Sequence, residues 1–122
     1  MLENFYEILS SVHDGQLSSW RIRLNTDHEI FKAHFPGTPI TPGACQLEIF
    51  RQLAQKSVGR ELMLVSIKNL KYLQIIDPKQ TDEVTVAETI QQGPDAGQWQ
   101  ASVLVTCDDK VFTKASITLK AE

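Results

Sequence analysis

His34-Phe35-Pro36-Gly37-Thr38-Pro39-Ile40-Thr41-Pro42-Gly43 leads directly into Ala44-Cys45-Gln46-Leu47-Glu48-Ile49-Phe50-Arg51. The first ten residues have no apolar period, and three prolines forbid regular pairing while fixing φ, so they read as a rigid loop. The residues after them change character. Thr41 suits an N-cap, Pro42 a first helical position and Gly59 a stop, which predicts a helix over about Pro42–Val58. At 100° per residue, Ala44, Leu47, Phe50, Ala54 and Val58 share one apolar sector, which Ile49 and Leu53 widen. A helix this apolar is expected to be wrapped by other elements.

Outward from that helix, the N-terminal side reads as a short helix through Leu2, Phe5, Tyr6, Ile8 and Leu9, ended by Asp14-Gly15. A strand over about Gln16–Thr26 follows, with Leu17, Trp20, Ile22 and Leu24 largely alternating, and then a loop over Asp27–Pro42. The C-terminal side reads as strands only: Leu62–Ile76, interrupted at Asp77-Pro78; Glu83–Gln92; Trp99 to Val105; and Val111–Leu119. Gly93-Pro94-Asp95-Ala96-Gly97 and Asp108-Asp109 are turns. Four strands joined by short turns predict an antiparallel meander, and with the long helix they predict an α+β domain with the helix in the sheet's concave face.

The chain has 122 residues, 42% hydrophobic and 22% charged, with a net charge of -3. That length suits a single domain over residues 1–122. The absence of a basic excess argues against a general nucleic-acid binder. No apolar run approaches the ~20 residues that span a bilayer. Met1 to Glu7 lacks the basic start and apolar core of a secretory signal. Cys45 and Cys107 are far apart with no C-x-x-C, so two free thiols and a reducing, cytoplasmic location are expected. His13, His28 and His34 do not combine with Cys45 into metal-site spacing.

Chemistry is concentrated at the loop–helix junction. First-turn backbone N–H groups lack intrahelical partners and favour negative charge. Gly43, without a side chain, leaves room for another molecule's oxygen to approach that N–H. His34 on a rigid loop beside such a helix end fits a catalytic half-site; the plainer alternative is a proline-stiffened crossover in which His34 caps a carbonyl. Glu48 lies at the shoulder of the apolar sector, where a carboxyl acts as an acid if burial raises its pKa. Arg51, at i+3, would lower that pKa instead. A solvated helix glutamate is the plainer alternative.

His34-Phe35-Pro36-Gly37-x-Pro39-x-x-Pro42-Gly43 followed by Glu48 resembles the signature of hot-dog-fold 3-hydroxyacyl-acyl-carrier-protein dehydratases of the FabZ type. The relatives that also isomerise carry Asp at the acidic position, so Glu48 favours the FabZ side. The resemblance implies a hot-dog fold, a long central helix wrapped by an antiparallel sheet of five to six strands. It implies dehydration of a (3R)-hydroxyacyl thioester to the trans-2-enoyl thioester, with no cofactor or metal. His34 would take the C2 proton, Glu48 would protonate the departing hydroxyl, and the Gly43 amide would hold the thioester oxygen. In that family the two side chains come from different subunits of a homodimer, in some cases a trimer of dimers.

Phe35, Gly37, Pro42, Ala44, Cys45 and Leu47 would line the acyl site, with Cys45 a small wall residue rather than a nucleophile. The partner would be an acidic acyl-carrier protein, for which Lys68, Lys71 and Lys79 are the candidate basic patch. Three features depart from the FabZ pattern: there is no Pro-His-Arg-Tyr-Pro-Phe-like segment upstream, Ala33 stands where Gly often precedes the His, and Ile75-Ile76-Asp77-Pro78 replaces Arg-Phe-x-x-Pro-Val. They leave acyl length and pathway open, housekeeping or specialised. An acyl thioesterase of the same fold and a non-catalytic acyl-binding subunit are the alternative readings.

Overall fold

In the computed structural model, which describes residues 2–33 and 40–122, six antiparallel strands form one sheet around one long helix. In chain order the elements are β1 (Tyr6–Asp14), β2 (Leu17–Leu24), α1 (Glu29–Ala33), α2 (Gly43–Val58), β3 (Leu62–Tyr72), β4 (Glu83–Gln92), β5 (Gln98–Cys107) and β6 (Lys110–Ala121). This is the α+β, hot-dog arrangement expected.

The N-terminal segment is a strand, not the expected helix. Tyr6 to Asp14 pairs antiparallel with β2, Tyr6 opposite Leu24 and Asp14 opposite Leu17. The Asp14-Gly15 step that reads as a helix stop is a hairpin turn, with Gly15 at φ +60. An isolated helix this short is marginal in water, whereas pairing with β2 satisfies the same backbone groups against a preformed edge. Within the expected loop a single helical turn, α1, seats Phe31 in the core, stacked on Phe5 at 5.0 Å between ring centroids.

The meander expectation holds for β4, β5 and β6 but not for β3. Sheet order is β1-β2-β4-β5-β6-β3, so β3 pairs with β6 at the far edge, and residues 73–82 carry the chain back across to β4. Strand pairing in β3 also stops at Tyr72, short of the expected Ile76. The apolar alternation specifies which face a residue presents, not which neighbour its strand takes.

Helix α2 connects the two halves. It ends as expected at Gly59, whose φ of 79 and N–H bond to Gln55 O close the last turn. Its start differs by one position: Pro42 occupies the N-cap and provides no side-chain cap, and Gly43 is the first helical residue. The buried face runs through Cys45, Gln46, Ile49, Phe50, Leu53 and Ala54. Ala44, expected in that sector, is exposed, because the sheet contacts the helix about one residue further round. Phe50 and Leu53 pack on the inner face of the sheet with Ile22, Val86, Val105, Ile117 and Leu119, all almost fully buried. No helix of the described residues is long and apolar enough to cross a membrane.

Candidate active site

The N-terminus of α2 opens into a cavity of about 630 Å³ lined by Ile40, Thr41, Pro42, Gly43, Gln46 and residues 72–76. Pro42 offers no capping side chain and Gln46 N–H bonds back to Pro42 O at 3.1 Å, so among the described residues the first-turn amides have no cap from the N-terminal side. That is a seat for a developing negative charge. Apolar walls come from Ile40, Leu73, Ile75 and Ile76.

Gly43 is more constrained than its sequence position suggests. A methyl group added there would lie 2.6 Å from Tyr72 Cζ, so the phenol already fills the space next to the Gly43 Cα. Tyr72 has no sequence signal beyond closing β3, and the crossover after it places the ring here. Its phenol pKa is raised by burial, so it is a neutral hydroxyl at neutral pH.

Glu48 lies elsewhere on the helix. Five residues beyond Gly43 it points about 140° away from it and does not line the cavity. Its carboxylate takes two charge-assisted bonds from Arg51, Nε to Oε1 at 2.8 Å and Nη2 to Oε2 at 2.6 Å, and a third from Gln52 Nε2 at 2.8 Å. The Arg51 bonds hold its pKa below the usual carboxylate range against the opposing effect of partial burial. Arg51 is itself fixed by donating to Gln55 Oε1 at 2.7 Å and to Leu62 O at 2.9 Å. Gln52 accepts from the Tyr6 hydroxyl at 2.8 Å, and burial pushes that phenol up to about 12. The raised-pKa reading of Glu48 is therefore not the state within one chain: Glu48 is ionised, as its i+3 arginine foretells.

His34, Phe35 and Gly37 lie outside the described residues. Pro42 and Gly43 line the cavity; Cys45, buried in the core with its thiol pKa raised by burial, and Leu47, half-buried against the core, are not part of its lining. A thiol so shifted is poorly nucleophilic. Ala44 faces outward. His28 is held locally, its Nε2 2.9 Å from Glu3 O and its Nδ1 accepting from the Ile30 N–H. Both cysteines are free thiols. Among the described residues no group of three His, Cys, Asp or Glu side chains could hold a metal ion. Lys68, Lys71 and Lys79 are exposed and make no ion pair among the described residues.

Residues 10–113 match the ApeI-like family model, described as ApeI dehydratase. The 3-hydroxyacyl-[acyl-carrier-protein] dehydratase FabZ of Rickettsia conorii is 31% identical over 96 residues, covering 72% of this chain and 64% of that protein. The chain thus spans less than two thirds of the length of the FabZ relatives it matches. Among solved structures, the dehydratase heterocomplex ApeI:P from Xenorhabdus doucetiae superposes with a TM-score of 0.69 at 18% identity, covering 93% of this chain and 96% of that one. A hypothetical thioesterase from Streptococcus pneumoniae, solved with coenzyme A, gives 0.67 at 16% identity over 100% and 91%. These two likenesses establish the hot-dog fold, and the family match establishes the rest: the chain belongs to the ApeI-like dehydratase family.

Proposed function

We propose that the chain dehydrates (3R)-hydroxyacyl groups carried on an acyl-carrier protein to trans-2-enoyl groups, in fatty-acid or specialised acyl-chain biosynthesis. The observation that carries this is the helix N-terminus at Gly43, without a cap among the described residues, opening into an apolar-walled cavity in a chain of the ApeI-like dehydratase family. Removing the C2 proton places negative charge on the thioester oxygen. Backbone N–H groups at Gly43 stabilise that charge, and such preorganised donors are worth about 10²–10³ in rate. His34 is the base for the C2 proton, and the acid is Glu48.

Since Glu48 points about 140° away from Gly43 on one helix, the two cannot serve one substrate from a single chain. The site is shared between two copies. Support comes from β3, which forms the sheet's edge among the described residues and exposes Met63, Val65 and Ile67 at 47%, 50% and 44%. A long apolar edge strand of this kind invites a second strand, here a second copy's β3. The carrier docks on the basic side of the same region. Lys71 stands directly opposite Lys114 on adjacent strands, a like-charge pair that an acidic partner relieves.

One observation favours a second reading. An ionised Glu48 suits a general base activating water, the role a thioesterase needs, better than an acid. Incubating the protein with a (3R)-hydroxyacyl-carrier-protein thioester separates the two. Appearance of the enoyl thioester supports the dehydratase; release of free thiol with no enoyl product replaces it with the thioesterase.

A further inference from the structure

The floor of the cavity at the α2 N-terminus is polar, although its walls are not. Thr41 is 3% exposed, and its hydroxyl has no hydrogen-bond partner among the described residues. Its backbone is fixed on both sides: Thr41 N–H donates to Ile76 O at 2.9 Å, and Thr41 O accepts from Gln46 Nε2 at 3.4 Å. Gln46, 5% exposed, is anchored firmly at its other end, where Thr113 Oγ1 donates to Oε1 at 2.6 Å. The amide nitrogen is therefore aimed by a strong bond at Oε1 but engaged, among the described residues, by only one long bond of its own, which leaves an N–H unspent there.

Thr41, Gln46 and Ile76 line both this cavity and a small void beneath it, bounded by Ile22, Leu24, Ile49, Phe50, Val84, Val86 and Val105. The two polar groups thus sit where the surface cavity meets the core. A buried polar group without a partner is costly, and one held in place at a cavity floor is a binding group awaiting its ligand.

We propose that Thr41 Oγ1 and Gln46 Nε2 form a seat for a hydroxyl on the acyl group, with Thr113 positioning the Gln46 amide. This rests on reading the cavity as an acyl-thioester site. A saturated chain leaves the two groups as short of partners as they already are; a hydroxyl pairs with both, so the site selects oxygenated over plain acyl groups. The C3 hydroxyl is the group protonated by Glu48, which does not line this cavity, so the seat is for a hydroxyl further along the chain.

The test is calorimetric binding of pantetheine thioesters carrying fluorine at both C2 positions, which cannot dehydrate. Three are compared: 3-hydroxyhexanoyl, 5-hydroxyhexanoyl and plain hexanoyl. Wild type is expected to bind the 5-hydroxyhexanoyl analogue about tenfold more tightly than the plain one, the effect of a net hydrogen bond or two. Thr41→Val and Gln46→Leu should remove that preference while binding the plain analogue as well as wild type does. Thr113→Val should weaken the preference without abolishing it. Equal binding of all three analogues by wild type, no binding of any, or a preference that survives both Thr41→Val and Gln46→Leu overturns the seat. A wild type that dehydrates but shows no such preference refutes only the seat; a wild type with the preference but without dehydration refutes only the proposed reaction.

Discussion

Arg51 grips both carboxylate oxygens of Glu48, at 2.8 and 2.6 Å, one turn apart on the same helix. The pair fixes the charge state of the residue proposed to donate a proton. A general acid works only while protonated, so its pKa sets the alkaline limb of the rate profile. Arg51→Met removes the first cause of the depressed Glu48 pKa. The alkaline limb of kcat is expected to move to higher pH in that variant. A limb that stays put, or moves down, assigns the acid role to another group.

The same variant has a stability consequence with a definite sign. Glu48 has a folded-state pKa below its unfolded value, so its contribution is present above the unfolded pKa and is lost as pH falls through the folded one. Arg51 also serves Leu62 O, whose loss leaves a carbonyl short of a partner, at about 1–3 kcal/mol. Urea unfolding at neutral pH should show Arg51→Met destabilised by about that amount, the difference from wild type narrowing in acid.

Glu88 on β4 behaves in the opposite sense. Its side chain is fully buried among core residues, neither oxygen has a hydrogen-bond partner among the described residues, and burial raises its pKa well above the ordinary value. A carboxyl with a raised folded pKa favours the fold below its unfolded pKa and loses that contribution as pH rises through the folded one. Wild-type stability should therefore decline as pH increases above the ordinary carboxyl range. Glu88→Leu should flatten that decline and be more stable by about 1–3 kcal/mol at neutral pH. A Glu88→Leu protein less stable than wild type at every pH would show that the carboxyl has a partner in solution.

Gly43 and Tyr72 are sterically coupled, since a β-carbon at residue 43 runs into the phenol. Gly43→Ala should cost about 1–3 kcal/mol, the usual range for overpacking. Combined with Tyr72→Ala the added methyl should cost almost nothing. Additive single and double variants in thermal unfolding would mean the ring simply moves aside.

The exposed edge of β3 makes a prediction about assembly. Ile67→Lys puts a charge in the middle of an apolar edge, a device that blocks strand association. Sedimentation should show wild type as a dimer or larger and the variant shifted to monomer with its fold intact. A wild-type monomer would remove the shared site.

Much of this was legible in the residues themselves. Gly59 marks the end of α2, and the bounds of β4 follow directly from the alternation of Val84, Val86 and Ile90 with polar neighbours. The Arg51–Glu48 pair follows from helical spacing alone. The N-terminal strand was hidden because Leu2, Phe5, Tyr6, Ile8 and Leu9 satisfy a helical period as well as they satisfy packing beside β2; only the partner strand decides. Placement of β3 next to β6, and so of Tyr72 on Gly43, depends on a crossover whose direction no local pattern encodes. Gln46 reads in sequence as a polar residue on an apolar helix, and its meaning appears only with Thr113 from the far end of the chain beside it.

Elimination of water at a site built from two chains can be read in a single assay. A (3R)-hydroxyacyl-carrier-protein thioester is incubated with wild type, His34→Ala, Glu48→Gln and an equimolar mixture of the two variants, and the thioester is weighed by mass spectrometry. Loss of water is expected with wild type and none with either variant alone. After subunit exchange, the mixture should recover about a quarter of wild-type activity, because half the dimers are mixed and each holds one intact site. Water loss undiminished in both variants, or none with wild type on short and long chains alike, would contradict it.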